Sequence, residues 1–138
     1  MSTEVSPQVR EFLKANIPGH EHLEVLLCMC RDPKPFTAQD ISARLELPIE
    51  VTKDAMTHLW RIKLLETRSM GDRQFGFAYV PPTPQIDASV HALVAEYSAN
   101  RFGVVQLIAT LAIDRIRNAT IHHFADAFLI KPKADKDG

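Results

Sequence analysis

Residues 36–68 read FTAQDISARLELPIEVTKDAMTHLWRIKLLETR, and the order of signals within this stretch decides the fold. Thr37 supplies the side-chain oxygen that a helix N-cap needs, and Asp40 stands three residues on, in an approximate capping-box arrangement. Ile41, Leu45 and Leu47 form the apolar face of that helix. Leu47-Pro48 makes a short break. A longer helix is predicted over 50–62, with Val51, Ala55, Leu59 and Ile62 on its inner stripe. After Leu64-Leu65 the period changes. LLETRSM, the turn Gly71-Asp72-Arg73 and QFGFAYV read as two strands joined in a hairpin. Phe75, Phe77 and Tyr79 alternate with small residues, as on a half-buried strand.

Helices flank this stretch on both sides. Upstream, Ser6-Pro7 caps and opens a short helix with Val9, Phe12 and Leu13 on one face, and Pro18-Gly19 stops it. HEHLEVLLCMC then places Leu23, Leu26, Leu27 and Cys30 at helical spacing, closed by Asp32-Pro33 and Pro35. Downstream, Pro81, Pro82 and Pro84 mark the clearest boundary in the chain. Ile86, Val90, Leu93, Val94 and Tyr97 form the next helical stripe, and 100–103 is a predicted break. VVQLIATLAIDRI is apolar around much of its circumference, which implies burial on several sides or against another chain. Asn118 is the expected cap of a last helix with Ile121, Phe124, Ala125 and Phe128 inward. The tail KPKADKDG is charged and expected to be disordered.

Helix, helix, turn, helix, two-stranded ribbon is the order of a winged helix-turn-helix. The expected fold is therefore mainly α with a small two- or three-stranded β-wing, a winged helix-turn-helix followed by C-terminal helices. Residues 1–82 form the winged domain, 83–130 a helical dimerisation segment and 131–138 the tail. The stretch from Phe36 to Val80 resembles the DNA-binding domain of the MarR, BlaI and related bacterial regulators. The shared features are the Thr-capped helix ending in Leu45-Glu46-Leu47, the helix through Leu59, the Leu64-Leu65 pair that opens the wing and the basic Arg68. Four positions depart from that pattern. Pro48 stands where Ser or Thr is usual, Lys63 stands where a Gly turns the chain into the wing, and Glu50 and Asp54 occupy the first turn of the reading helix. Acids suit a helix N-terminus electrostatically but repel phosphate.

The resemblance implies a homodimer that docks the helix over 50–62 in the major groove of double-stranded DNA and regulates transcription. The candidate contacts are Thr52, Lys53, Thr57 and Arg61 on that helix, with Lys53, Thr57 and Arg61 recurring every four residues. Arg44 on the preceding helix is a phosphate clamp, and Arg68 and Arg73 belong to the wing. Trp60, beside the stripe, is expected to pack, with a wedge as the alternative. Charge argues the other way: 16 basic residues face 17 acidic ones, and they also balance within 36–80, whereas phosphate binding favours a basic surplus. The second function class is a non-catalytic winged-helix module that binds another protein and no DNA.

No Gly-rich phosphate loop, Gly-x-Ser-x-Gly elbow, Cys-x-x-Cys pair or His-Glu-x-x-His occurs, so no enzyme activity and no cofactor are expected. His20, His22, Cys28 and Cys30 contain metal-ligating types, but a spacing of two turns Cys28 and Cys30 to different helix faces, and no metal is expected. Two cysteines within one apolar run, no apolar leader and no run of about 18 apolar residues point to the cytoplasm and away from a membrane.

Overall fold

A computed structural model describes the backbone of residues 4–137 and the side chains of residues 4–121. The described residues form six helices and one hairpin in the order α1 (Pro7–Asn16), α2 (His20–Arg31), α3 (Ala38–Leu45), α4 (Ile49–Arg61), β1 (Leu65–Ser69), β2 (Phe75–Tyr79), α5 (Pro84–Ala99) and α6 (Arg101–Asp137). The fold is mainly helical with a small two-stranded antiparallel sheet.

Local chemistry sets most of these boundaries. The Ser6 side chain accepts from the Val9 amide and Pro7 occupies the first turn of α1. At α3 the capping box is complete: the Asp40 amide donates to Thr37 Oγ1 at 3.1 Å, and the Thr37 amide donates to Asp40 Oδ2 at 3.0 Å. Such a cap contributes about 1 kcal/mol. α3 ends on Glu46 in the left-handed region, φ 54°, and the Ser42 hydroxyl donates to the Leu47 carbonyl at 2.6 Å. These bonds fix the turn between α3 and α4. Pro48 starts α4 without a side-chain cap.

The inner stripe of α4 differs from the one expected. Thr52, Ala55, Met56 and Leu59 are buried, whereas Val51 and Ile62 are only half-buried. The helix is rotated toward Thr52 and Met56, which join the interior as α4 packs on α2, α3 and β1. The stripe on α2 is likewise broader than Leu23, Leu26, Leu27 and Cys30. Val25 and Met29 are fully buried and Cys30 only partly, since α2 packs against α3, α4, α6 and β2.

β1 and β2 pair in the register Leu65↔Tyr79, Thr67↔Phe77 and Ser69↔Phe75. A single bridge, Phe36↔Phe77, adds one residue of a third strand through reciprocal 2.9 Å bonds. Gly76 lies under Phe36, and an added Cβ would meet Phe36 O at 2.8 Å. α5 and α6 pack on α1 and α2. Val90, Leu93, Tyr97, Val104, Ile108 and Leu111 join the same core as Leu13, Leu26, Ile41 and Leu59.

α6 runs unbroken through Arg101–Asp137, so Asn118 lies inside a helix and caps none. Ile121 is 63% exposed and does not point inward. Phe124, Ala125 and Phe128, and the charged residues of 131–138, lie outside the described side chains.

Lys63 turns the chain from α4 toward the wing with φ 69°. A left-handed L-residue costs about 1–2 kcal/mol, and glycine's extra chain entropy offsets about 0.5–1 kcal/mol of the relief. Lys63→Gly is therefore expected to raise unfolding free energy by about 0.5–1 kcal/mol in denaturant titration. A loss of stability would place some other demand on the lysine side chain.

Candidate nucleic-acid interface

The solvent half of α4 is set by what its other half buries. With Thr52, Ala55, Met56 and Leu59 inward, a period of 3.6 puts Glu50, Asp54, Thr57 and Arg61 along the crest, with Lys53 and Trp60 on one flank. Lys53 and Arg61 are exposed, Thr57 is half-buried, and no ion pair involves Lys53 or Arg61 among the described residues. α4 packs on α2, α3 and β1, and Lys53 and Arg61 stay exposed among the described residues.

The other expected contacts divide. Thr52 is 0% exposed, and its hydroxyl donates to the Pro48 carbonyl at 3.1 Å. It is a core residue and leaves the candidate set, because the rotation of α4 carries it inward. Arg44 lies 3.5 Å from Asp32 and its guanidinium sits 4.6 Å above the Phe36 ring. Arg68 donates to Glu66 at 2.8 Å. Arg73 is exposed on the wing turn with φ 61°. Hence Lys53, Arg61 and Arg73 are open cations, whereas Arg44 and Arg68 are each shared with a carboxylate. Beside α4, an open cavity of about 520 Å³ is lined by Trp60, Arg61, Lys63, Leu65, Glu66, Val80 and Pro82. Trp60 is 46% exposed and its ring lies 6.5 Å from that of Phe77.

A junction behind α4 was not foreseen. The last turn of α1 leaves carbonyls with no partner inside the helix. Arg115 of α6 donates to three carbonyls at this end: Lys14 O at 2.7 Å, Leu13 O at 3.2 Å, which also accepts from the Ile17 amide, and Ile17 O at 3.3 Å. His58 of α4 meets Asn16 O at 2.8 Å, and because a carbonyl only accepts, His58 carries its proton on Nε2. The His22 ring stands edge-on to that of His58, with centroids 5.0 Å apart. His22 Nδ1 is buried without a hydrogen bond, since Glu21 Oε1 is 3.6 Å away. A signal for this cluster requires pairing residues 42 to 102 positions apart, which no local pattern provides.

The thiols are placed at the core edge. Cys28 and Cys30 are free and half-buried, and burial pushes the Cys30 thiol up to about 11, so it stays protonated and a poor nucleophile at neutral pH. No group of three potential metal ligands comes together among the described residues, and no described helix is long and apolar enough to cross a membrane.

Burial first, then the neighbouring His58, pushes His22 below the ordinary value of 6.5; Arg115 acts in the same direction, while Glu21 and Asp54 oppose. Below 6.5 the unfolded chain therefore binds a proton that the folded chain resists, and stability falls as pH drops through that value. Well above it the group is neutral in both states and contributes no slope. His22→Gln is expected to flatten the decline in unfolding free energy between about pH 7.5 and about pH 5.5. An unchanged slope in paired denaturant titrations would show that His22 is not the proton-linked group.

No family model, curated protein or solved structure matches this chain.

Proposed function

We propose that this protein is a cytoplasmic, non-catalytic DNA-binding regulator that acts as a homodimer through a winged helix-turn-helix. α4 is its reading helix and the β1–β2 hairpin its wing. The observation that carries the reading is the solvent side of α4, where Lys53 and Arg61 are exposed, Thr57 is half-buried and no ion pair among the described residues engages either cation. The resemblance of 36–80 to MarR and BlaI regulators supports it. So does Lys63, whose left-handed backbone adopts the conformation for which that pattern uses glycine.

The long helix α6 supports the pairing of two copies. Val104, Ile108 and Leu111 bury one side of it. Phe102, Ile113 and Ile116 fall on the opposite side by helical period, and each is at least half exposed. An apolar face of this kind associates in water. A two-fold pairing would present two reading helices about 34 Å apart, one turn of the duplex. Cys28 and Cys30 are not joined in a disulfide, which fits a reducing compartment.

A second reading has its own observation. Glu50 and Asp54 lie on the same crest as Arg61, and Arg44 and Arg68 are held by acids. A mixed surface of this type also fits a protein partner.

Binding to mixed-sequence duplexes across a salt series separates the two. The DNA reading predicts affinity that falls steeply with salt, and Lys53→Ala and Arg61→Ala each lowering the salt slope by about one phosphate's worth. Thr52→Ser, by contrast, is expected to leave the slope unchanged. Sedimentation of Ile113→Glu/Ile116→Glu should show a shift from dimer to monomer. No duplex binding at low salt would overturn the DNA reading and leave the protein-binding module.

A further inference from the structure

Phe75 is the most conspicuous apolar side chain that the fold leaves unused by the contacts above. It opens β2, pairs across the ladder with Ser69 and is 67% exposed. On a strand, residues two apart share a face, so Phe75, Phe77 and Tyr79 line one side of the wing. Their environments grade outward. The Tyr79 hydroxyl donates to Asp87 of α5 at 2.9 Å, and Phe77 meets Trp60 of α4. Phe75 lies beyond both, next to the turn that carries Arg73. On the opposite face Gly76 lies against Phe36 and Ala78 is buried, while their β1 partners Arg68 and Glu66 are exposed. The wing thus holds a row of aromatic rings that starts at the reading helix and ends on an open phenylalanine at its tip.

We infer that Phe75 is a wedge: with α4 in the major groove, the wing follows the adjacent minor groove and inserts this ring against a base step, kinking the duplex. The inference rests on the DNA-binding reading. Charge complementarity selects the occupant. Arg61 and Lys63 line the cavity that holds Trp60, the ring Phe77 meets, and Arg73 stands at the tip, whereas Glu66 of the same cavity is held by Arg68 and Asp72 is the acid of the turn. A protein partner would need acids against these cations and an apolar pocket for the ring. A nucleic-acid duplex supplies both in fixed geometry, phosphates flanking a stack of base faces, and minor-groove proteins use apolar wedges with flanking cations in this way. Placement also fits. The tip is held by Met70 N–H donating to Gln74 O at 2.8 Å and Gln74 N–H to Gly71 O at 2.7 Å, so the ring is presented on a braced turn.

The test uses the full chain and a 30-base-pair duplex, rich in TA and CA steps and labelled at both ends for energy transfer. TA and CA steps kink most readily. Wild type is expected to shorten the end-to-end distance on binding. Phe75→Leu should retain the bend, whereas Phe75→Ala should abolish it and weaken binding by about tenfold, the order expected for one lost stacking contact. Far-ultraviolet dichroism of Phe75→Ala checks that this exposed substitution leaves the fold intact. Binding by wild type without bending overturns the wedge and leaves the DNA reading standing, as does bending that persists in Phe75→Ala. Absence of any binding, even at low salt, overturns both. A change in oligomer size on Phe75→Ala in the absence of DNA, with bending unaffected, assigns the ring to self-association instead.

Discussion

The carbonyl groups at the end of α1 must find donors, and they find them on two helices that lie far along the chain. Asn16 O takes the His58 imidazole of α4, and Leu13, Lys14 and Ile17 take the Arg115 guanidinium of α6. A cation at a helix C-terminus stabilises by about 0.3–1 kcal/mol when exposed and up to about 2 kcal/mol when partly buried. The larger consequence is orientation. One turn of α1 becomes the joint on which both the short α4 and the long α6 rest. With His58 drawn to that joint and Thr52, Ala55, Met56 and Leu59 in the core, the rotation of α4 is fixed, and Lys53 and Arg61 are left exposed among the described residues.

That rotation decides how a nearly neutral chain can carry a localised charge. The six cations between 36 and 80 are matched by as many acids, yet they are not equivalent. Arg44 and Arg68 have local carboxylate partners, whereas Lys53, Arg61 and Arg73 stand open along α4 and the wing. Surface ion pairs are worth at most about 1 kcal/mol each, so the two shared arginines remain within reach of a stronger partner. Glu50 and Asp54 moderate the N-terminal end of the crest, where they also complement the helix dipole. Of the open cations, Arg61 and Arg73 lie at the C-terminal end of α4 and on the wing, where the aromatic row also lies, and Lys53 stands between the two acids.

Much of the fold was legible in the residues. The capping box at Thr37 and Asp40, the break at Leu47-Pro48 and the hairpin around Gly71 are local signals, and local bonds made them hold. Periodicity alone placed α4 but not its phase. Val51, Ala55, Leu59 and Ile62 and the alternative Thr52, Ala55, Met56 and Leu59 share two positions, and the choice depends on α2, which packs beside them only in the folded chain. Thr52 was misread for the same reason: its hydroxyl finds Pro48 O inside the helix and can therefore be buried. Asn118 carries a cap's chemistry, but tertiary context continues the helix through it. The His22–His58–Arg115 junction could not be read at all, since each member alone resembles an ordinary surface residue.

The proposed function assigns separate surfaces to the two tasks, the exposed apolar side of α6 to pairing and the exposed side of α4 to reading. Backbone amide shifts, followed as mixed-sequence duplex is added to the isotopically labelled protein, test that division most directly. If α4 is the reading head, the largest changes fall on Lys53, Thr57 and Arg61 and on the wing around Arg73, while the buried side of α6 around Ile108 stays still. Changes confined to α5 and α6, or none at saturating duplex, would contradict it.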